Sequence, residues 1–321
     1  MRVKEITDAE KAEYNELAFQ YGTIYNTVDW LGVFGDRVRL IGIYDDGNHL
    51  KGGFTLYQVK KFGLRIIRNP PYTPNVGPFL EIEAKNHITI METWKKALTL
   101  LADFIDSYPS WVTSVALSKN IIDTQPFIWK KFKVVAGYKY LVDLNGSIDD
   151  IWSRMSRNRK NEIKKAESDG LVTKKVDDYE IVKMLYMKTL SRQEMVANEY
   201  YLDKVLFEFS NDANSFAFAV YDKERPIASF FVVYDKIDSH GVVSGYDHEQ
   251  KHRGAGPLAT WAAIKHAKSL GLQHFDFEGS MIPRIEQYLR GFGGQLVPYY
   301  SVNKAKLPLE ILLKFFKRDL F

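Results

Sequence analysis

One stretch decides between two folds for the second half of this chain: His248-Glu249-Gln250-Lys251-His252-Arg253-Gly254-Ala255-Gly256-Pro257. Its first five residues spell H-E-x-x-H, the zinc-protease motif, which requires both histidines on one continuous helix with a buried side. Glycines and a proline follow the second histidine almost at once, and the polar residues around it leave no apolar face. We therefore interpret the stretch as a loop and expect no metal there.

The alternative is a glycine turn at the start of a helix. The run 240–246 predicts a strand leading into the loop, and Pro257 suits the first turn of the helix that follows. Gly271 can end that helix, and 273–277 predicts the next strand. This order of elements aims backbone N–H groups at an anion. The residues predicted to bind a phosphate are Lys251, Arg253, Gly254, Ala255 and Gly256. A turn that only links strand to helix remains the alternative.

Composition limits the class of protein. The chain has 321 residues, of which 45% are hydrophobic and 14% aromatic, which predicts folded protein with room for two domains. The absence of cysteine excludes disulfides, cysteine nucleophiles and thiolate metal sites. With no signal-peptide pattern and no run of membrane-spanning length, we expect a cytoplasmic protein. A net charge of +4 leaves room for local basic patches without requiring a nucleic-acid partner.

The same order of elements occurs twice along the chain. The predicted strands are 38–44, 53–59 and 64–68 in the first half, and 216–221, 227–234 and 241–246 in the second. Tyr44 and Tyr57 have the same spacing as Tyr221 and Tyr234. We predict a mixed α/β (α+β) chain of two domains, each a mostly antiparallel sheet flanked by helices. The predicted domains are 1–145, with the C-terminal helix 305–321 as a candidate addition, and 146–304.

Two amphipathic segments carry most of the clustered basic charge. Ser147 starts a predicted helix through 151–166, whose basic residues include Arg154, Arg157, Arg159, Lys160 and Lys164. We predict that these attract a polyanion such as RNA or a nucleotide-linked substrate, with an ordinary solvated face as the alternative. The segment 309–318 is apolar and basic. We expect it to pack on the body of the protein, and peripheral contact with a membrane is the less favoured alternative.

Motifs spread over the chain resemble a known family. They are Gln125-Pro126-Phe127-Ile128-Trp129-Lys130, Tyr138-Lys139-Tyr140, Asn161-Glu162-Ile163-Lys164-Lys165-Ala166, Phe275-Asp276-Phe277-Glu278-Gly279-Ser280 and Arg290-Gly291-Phe292-Gly293-Gly294. Together they look like the FemAB group of the GNAT-like acyltransferases, most clearly over 120–300. The resemblance implies two tandem GNAT-like domains and transfer of an acyl group onto an amine.

The resemblance also implies substrates. The best-known members move an amino acid from aminoacyl-tRNA to the peptide of a cell-wall precursor, and relatives use acyl-CoA. In GNAT enzymes the CoA pyrophosphate rests on a loop of pattern [Q/R]-x-x-G-x-[G/A]. The run 251–256 fits, except that lysine fills the first position and lacks the fork geometry of arginine.

We therefore expect an acyltransferase that needs no cofactor beyond its donor, with tRNA and a peptidoglycan precursor as partners. Transfer from acyl-CoA to another amine is the alternative. A noncatalytic RNA-binding or scaffold protein is the second alternative.

Candidate catalytic residues lie near the end of the chain. Asp276 and Glu278 alternate along a predicted strand, so they would share one face and could serve in proton transfers. Tyr299 and Tyr300, in a predicted late strand, are candidate acids. Structural carboxylates and packed tyrosines remain the alternatives.

A proline-rich loop at 68–78 forms a stiff connection in the first half. Related loops in the family line the acceptor site. The resemblance therefore makes Arg68 and Tyr72 candidate contacts to the acceptor, with a purely structural connection as the alternative.

Overall fold

The computed structural model describes residues 1–250, 252–279 and 281–321. The chain forms two compact units. The first comprises residues 1–137 and 298–321, and the second comprises 138–297. The sequence predicts boundaries near residues 145 and 304. The observed divisions, after residues 137 and 297, fall inside the strands Lys133–Asp143 and Gln295–Ala305.

The strands are β1 (Arg2–Glu5), β2 (Val38–Tyr44), β3 (Leu50–Lys61), β4 (Leu64–Arg68), β5 (Phe79–Leu80), β6 (Val112–Ala116), β7 (Lys133–Asp143), β8 (Val172–Val176), β9 (Ser215–Asp222), β10 (Arg225–Tyr234), β11 (Asp238–Tyr246), β12 (His274–Asp276) and β13 (Gln295–Ala305). The helices are α1 (Lys11–Tyr21), α2 (Val28–Gly32), α3 (His87–Ser107), α4 (Gln125–Trp129), α5 (Ile148–Arg154), α6 (Arg157–Ser168), α7 (Glu180–Arg192), α8 (Glu199–Asp203), α9 (Ala255–Ser269), α10 (Pro283–Arg290) and α11 (Leu307–Phe316).

The first unit is built on the strand order β1-β2-β3-β4-β6-β13, with β5 beside β3. Among the described residues, the neighbouring strands pair antiparallel except β4 with β6, which are parallel and joined through α3. Leu98, Leu101 and Ile105 recur along one side of α3 at helical spacing and are buried against the sheet. That stripe fixes the helix on the sheet and closes the core of this unit.

The second unit repeats this arrangement in the order β7-β12-β11-β10-β9-β8. Only β11 and β12 are parallel among its pairs, and α9 joins them. Leu258, Trp261 and Ile264 of α9 lie in its core. Three antiparallel strands, a helix and a parallel strand therefore occur in each unit, which confirms the duplication predicted from the sequence.

The basic segment after Ser147 forms two helices, so the single helix predicted over 151–166 is wrong. Ser147 makes the predicted capping box with Asp150, but Met155 is extended, with ψ 149°. The hydroxyl of Ser156 then accepts the N–H of Arg159 at 3.2 Å and caps a second helix. A serine that can bond its own downstream backbone competes with helix continuation. The break separates α5 from α6.

The C-terminal helix α11 packs on the first unit by one side only. Leu309 and Leu313 contact the cluster formed by Val112, Ala305 and Phe321. No residue of α11 is itself buried. The expected packing is therefore confirmed for that side, while the other side faces outward. Among the residues that the structure describes, no helix has the length and apolar character needed to cross a membrane.

Candidate active site

Charged side chains of the second unit concentrate in two places. The buried ion network consists of Lys139, Asp235, His240, Asp276 and Glu278. The arginine pocket is a cavity of about 570 Å³ lined by Ser156, Asn158, Arg159, Glu162, Arg253, Arg284, Gln287, Tyr288, Arg290 and Gly291.

Strand pairing brings the buried ion network together. His240 of β11 is in register with Asp276 of β12, and β12 pairs with β7, which carries Lys139. Lys139 Nζ lies 2.6 Å from Asp276 Oδ2 and 3.2 Å from Glu278 Oε2. His240 Nδ1 lies 2.6 Å from Glu278 Oε1, and its Nε2 lies 3.3 Å from Asp235 Oδ2. Acidic and basic groups therefore alternate along the chain of contacts.

Neighbouring charges outweigh burial in setting the protonation of this network. Burial alone would raise the pKa of Glu278, but the charge of Lys139 and the bond to His240 hold it at about 2. Burial likewise opposes a charge on His240, yet its bonds to Asp235 and Glu278 raise its pKa to about 10. Burial also disfavours charge on Asp235 and Lys139, but their partners lower the pKa of Asp235 to about 2 and raise that of Lys139. These four groups are charged at neutral pH.

Glu278 does not continue the strand, so the predicted alternation with Asp276 is wrong. Strand β12 ends at Asp276, and Glu278 has φ 55°, a left-handed conformation that is strained for a non-glycine residue. Asp276 Oδ1 accepts the N–H of Glu278 at 2.8 Å, and Gly279 continues the turn with φ 73°. The two carboxylates nevertheless meet, because this turn directs Glu278 toward Lys139. Their catalytic role stays a prediction.

Three members of the network also offer metal-ligand atoms. One atom each of His240, Asp276 and Glu278 lies within 4.8 Å of the others. Lys139 places its ammonium against both carboxylates. Because a metal ion would compete with this ammonium for the same oxygens, the donor set fits Lys139 as its cation.

The described residues of the H-E-x-x-H stretch do not form a helix, in agreement with the loop predicted from the sequence. Residues 247–250 and 252–254 form turns and bends, and α9 begins at Ala255. His252 Nδ1 accepts the N–H of Gly254 at 3.2 Å, and its Nε2 lies 3.0 Å from a carboxylate oxygen of Asp169. Both ring nitrogens are therefore used inside the fold.

Arginines from three elements meet at the arginine pocket: Arg159 of α6, Arg253 of the glycine turn, and Arg284 and Arg290 of α10. Among the described lining residues, Glu162 is the only carboxylate, and it pairs with Arg159. Arg290 Nε lies 3.1 Å from Glu286. Arg253 and Arg284 are exposed, and neither forms an ion pair with a described residue. The pocket therefore offers two unpaired guanidinium groups to an anion.

Arg159 forms part of the pocket wall instead of the exposed face that the sequence predicted. It is 8% exposed, with its guanidinium carbon 4.2 Å from the ring centre of Tyr288 and 4.9 Å from that of Phe292. Its Nη2 donates to the carbonyl of Tyr288 at 2.9 Å. Stacking on two aromatic rings and a backbone bond fix this cation in place.

The other predicted basic contacts divide into two kinds. Arg154 donates to the carbonyl of Asp143 at 2.5 Å, and Lys160 donates to that of Ser153 at 3.2 Å. Arg157 and Lys164 are exposed on α6 and form no ion pair within the described part of the chain. Only these last two retain the free, solvated charge expected of residues that contact a polyanion.

The glycine turn is less open to an anion than predicted. The N–H of Gly254 donates to His252 Nδ1, and that of Ala255 donates to the carbonyl of His252 at 3.1 Å. Pro257 has no N–H to donate. Of the positions 254–257, Gly256 is left as the remaining candidate donor. Lys251, which was predicted to add charge here, lies outside the described residues.

The two glycines of the turn differ in how much space surrounds them. A Cβ on Gly254 would overlap the carbonyl oxygen of Glu162 and lie 2.8 Å from the side chain of Ala166. Gly254 is therefore required by the close approach of α6 and α9. A Cβ on Gly256 would meet only the hydroxyl of Tyr288, at 3.5 Å. Gly256 thus borders the arginine pocket without a packing requirement.

The remaining predicted residues lie in the first unit. Tyr299 and Tyr300 are on β13, as predicted, and the carbonyl of Tyr300 accepts the N–H of Leu117 at 2.8 Å. A Cβ on Gly137 would overlap the ring of Tyr299, so this tyrosine packs against the backbone there. Arg68 is exposed at the end of β4.

The proline-rich loop after β4 is held by hydrogen bonds. Trp30 Nε1 donates to Thr73 Oγ1 at 2.9 Å, and Asn69 Nδ2 donates to the carbonyl of Thr73 at 3.1 Å. Tyr72, inside this loop, has φ 57°. The loop is a fixed surface, which suits either a binding wall or a structural connection.

Sequence reasoning did not select Lys139, Asp235 or His240, and it did not assign a role to Arg284 or Arg290. One available signal was a histidine near the start of the predicted strand 240–246. A lysine between Tyr138 and Tyr140 on a strand was another. What joins them is the pairing of β7, β12 and β11, which connects positions more than a hundred residues apart in sequence.

Comparison with known proteins agrees with this geometry. Residues 153–288, which include the glycine turn and most residues of the arginine pocket, match the family described as Acetyltransferase (GNAT) domain. No curated protein matches the chain in sequence.

Solved structures resemble the whole chain in fold. The crystal structure of FemX superposes with a TM-score of 0.67 at 11% identity, covering 98% of this chain and 100% of FemX. L-PGS from Bacillus licheniformis gives a TM-score of 0.57 at 12% identity, covering 99% and 98%. A tandem GNAT protein from the clavulanic acid biosynthesis pathway gives 0.52 at 11% identity, covering 95% and 98%.

These likenesses confirm the tandem GNAT-like fold predicted from the sequence. The domain match lies over the second unit, and the fold match extends over nearly the full chain. The second unit therefore contains a GNAT-type acyltransferase domain, and the chain as a whole shares the fold of FemX and of a tandem GNAT protein.

Proposed function

We propose that this enzyme transfers an amino acid from aminoacyl-tRNA to an amine of a peptidoglycan precursor, and that the arginine pocket binds phosphates of the tRNA. The observation that carries the proposal is the pair Arg253 and Arg284. Both are exposed at one cavity, and neither has an ion-pair partner among the described residues. Unpaired guanidinium groups at a concave site suit a phosphate ligand, which they can bind through two hydrogen bonds each.

The size of the pocket favours a small part of a polyanion. Ligand cavities generally span roughly 300–1,000 Å³, and this one measures about 570 Å³. It can therefore hold a phosphate and the adjoining part of a single strand, and a duplex is too large for it. Arg157 and Lys164 extend the positive charge along the exposed side of α6. Phosphates farther along the same strand would find these two side chains.

The proposed reaction is aminolysis of an ester. The amine nitrogen bonds to the ester carbonyl carbon, the bond from that carbon to the ribose oxygen breaks, and the amine proton ends on the ribose hydroxyl. Proton acceptors work best with a pKa near the working pH, so Glu278, with a pKa of about 2, is a weak base here. We assign the buried ion network to holding β7, β11 and β12 in position. Binding and orientation of the two substrates supply the rate enhancement.

The acceptor half of the proposal is supported by the FemAB-like fold and by the first unit. The fixed loop that contains Tyr72, with Arg68 exposed at its start, offers one aromatic and one cationic contact. A precursor peptide with a carboxylate and a free amine would use both kinds of contact.

A GNAT-type transfer from acyl-CoA to another amine is the second candidate. The match to the acetyltransferase domain favours it, because that match includes the glycine turn. The arginines would suit a pyrophosphate as well as RNA. Against it, His252 already receives two N–H bonds from the turn that would cradle the pyrophosphate. The noncatalytic alternative is not carried further, because the match to a GNAT acetyltransferase domain favours an enzyme.

The test replaces Arg253 and Arg284 together by glutamine. The matched control replaces Lys223 and Lys265, two exposed lysines of the same unit that do not line the pocket. Binding of a charged tRNA is followed by fluorescence anisotropy over a salt series, and transfer of a radiolabelled amino acid to a precursor amine is measured in parallel. The Arg253/Arg284 variant should bind at least about tenfold more weakly, with a salt slope reduced by about two phosphate contacts.

Three outcomes separate the candidates. Weak binding and lost transfer in the arginine variant alone support aminoacyl transfer. Saturable CoA binding that is lost in the arginine variant, without tRNA binding by the unchanged enzyme, assigns the pocket to the second candidate. Equal losses in the arginine and lysine variants would show that the pocket has no special part in donor binding.

A further inference from the structure

Helix α11 exposes large apolar side chains in a continuous stripe. Leu307, Ile311 and Phe315 recur at every fourth position and are 74%, 55% and 81% exposed. Leu312 and Phe316 lie beside them at 52% and 75% exposure. Isolated exposed apolar residues are ordinary on a protein surface, but five on one ten-residue helix form a contiguous patch.

The other side of α11 is anchored, so the stripe is held facing outward. Leu309 and Leu313 pack on the cluster that contains Val112. The N–H of Lys306, at the start of the helix, donates to the carbonyl of Trp111 at 2.9 Å. Turning the stripe inward would expose Leu309 and Leu313, so no rotation of the helix buries both sides against this unit.

Basic charge surrounds the apolar stripe. The segment 304–321 carries five basic residues, Lys304, Lys306, Lys314, Lys317 and Arg318, against the two acidic residues Glu310 and Asp319. Lys314 pairs with Glu310 at 2.9 Å, whereas Lys317 and Arg318 are exposed and form no ion pair with described residues.

An aromatic side chain completes the rim. Trp111 is 38% exposed beside the start of the helix, with Lys306 Nζ 4.8 Å from its ring centre. Apolar, aromatic and basic side chains in this arrangement are typical of helices that lie in a membrane interface.

We propose that α11 docks the enzyme on an anionic lipid surface, with the stripe inserted among the acyl chains and the basic rim at the headgroup phosphates. This inference rests on α11 alone and is independent of the proposed function. The charge argues against a second copy of the chain as the occupant. A symmetric pairing of two stripes would bring the basic residues of both copies together.

A second exposed apolar patch in the first unit provides a matched control. Ile88 and Met91 of α3 are 65% and 57% exposed, which is close to the exposure of Ile311. The lysines beside them, Lys95 and Lys96, are paired with Asp123 and Asp46 respectively. This patch also exposes large apolar side chains, but both lysines beside it are neutralised by carboxylates.

The experiment measures co-sedimentation with vesicles of phosphatidylcholine alone and of phosphatidylcholine with roughly one third phosphatidylglycerol, a composition whose anionic charge attracts basic side chains. The unchanged enzyme should bind the anionic vesicles and bind the zwitterionic vesicles far less. Ile311→Glu with Phe315→Glu should abolish binding, and Ile88→Glu with Met91→Glu should leave it intact. Lys317→Gln with Arg318→Gln should lower the partition coefficient at least about tenfold, since each charge near such a surface contributes a several-fold factor.

All of these substitutions are at exposed positions, and a thermal melt of each variant checks that the fold is retained. Equal binding to both vesicle types would overturn the proposal. So would an equal loss of binding in the α3 and α11 variants. Concentration-dependent self-association that disappears in Ile311→Glu with Phe315→Glu, without vesicle binding, would assign the stripe to a second copy and also overturn it.

Discussion

The parallel strand pair is bridged by a neutral amide in the first unit and by charged groups in the second. Asn69 follows β4, and its Oδ1 accepts the N–H of Ala116, the last residue of β6, at 2.8 Å. In the second unit, His240 of β11 lies 2.6 Å from Glu278, which follows β12 and also contacts Lys139. The order of elements around the two pairs is the same, so the difference lies in the chemistry placed on a shared framework.

The helices that join these strand pairs also begin differently. In the first unit, Asn86 Oδ1 accepts the N–H groups of Ile88 and Thr89 at 2.9 and 3.3 Å and so caps α3. In the second unit, α9 begins after Gly254, which has no side chain to offer, and Arg253 stands beside it at the arginine pocket. The protein's own side chain therefore bonds the N–H groups at the start of α3, whereas the start of α9 lies beside a cationic cavity.

This comparison shows which features exceed what the fold needs. A neutral bridge is sufficient to hold the parallel pair, as the first unit demonstrates. Burying ions costs desolvation that apolar or neutral groups avoid, so holding β7, β11 and β12 in position through charges gives no gain in stability over a neutral bridge. Strongly shifted pKa values are common at functional sites, and Glu278 and His240, whose pKa values are strongly shifted, lie in the unit that matches the GNAT domain.

The largest expected effect comes from removing the cation of the buried network. Lys139→Met should lower the free energy of unfolding by about 3–5 kcal/mol, because it leaves buried carboxylates uncompensated. The control is Lys130→Met in the first unit, which breaks the half-exposed pair with Asp103 and should cost under about 1 kcal/mol. Urea unfolding of both variants measures the difference. Similar losses for the two lysines would show that the network is not distinct from a surface ion pair.

The second prediction concerns pH. The folded-state pKa of His240 is about 10, above the ordinary value of 6.5. Its stabilisation is fully present below pH 6.5 and is lost as pH rises toward 10, because the native state keeps a proton that the unfolded chain releases. The free energy of unfolding should therefore fall between pH 7 and 9. His240→Gln should remove that part of the slope. If the unchanged protein and the His240→Gln variant showed parallel profiles of unfolding free energy against pH, measured by urea unfolding, the slope would not come from His240.

The third prediction separates the two glycines of the turn. Gly254→Ala should destabilise the second unit by about 1–3 kcal/mol, because its Cβ would overlap the carbonyl of Glu162. Gly256→Ala should be close to neutral in stability, since only the hydroxyl of Tyr288 lies within reach, at 3.5 Å. Thermal unfolding of both variants measures this. Equal destabilisation by the two substitutions would contradict the conclusion that helix packing requires glycine at position 254 only.

Local signals in the sequence predicted much of the fold. The run 64–68 and the strand 38–44 match β4 and β2 because alternating apolar residues and flanking turns mark strands directly. The glycine turn before α9 was found because glycine and proline punctuate a helix start. The break between α5 and α6 was missed, since Ser156 is compatible with either a helix interior or a cap until Gly291 accepts its N–H.

The candidate site was predicted less well, for a physical reason. Asp276 and Glu278 were found because they stand together in sequence, whereas His240 and Lys139 reach them through strand pairing. The arginine pocket joins Arg159, Arg253 and Arg284, which lie on three separate elements. Register and helix packing over such separations are fixed by the whole core, so no local pattern reveals them.

The smallest expected effect tests the closed helix start of the first unit. Asn86→Ala removes the side chain that accepts two N–H groups and should lower the free energy of unfolding by about 1 kcal/mol, while Asn86→Gly should cost only a few tenths. Calorimetry measures stability, and hydrogen exchange at Ile88 and Thr89 reports the local opening. Gly254 has no side-chain cap to lose, and because Pro257 has no N–H, the N–H of Gly256 is the group at the start of α9 that water or a bound anion can satisfy. If phosphate raises the melting temperature through the second unit and still does so in Asn86→Ala, the two helix starts differ as the comparison requires. If the gain instead appears only after Asn86 is removed, the anion is acting at α3 and the contrast between the units is lost.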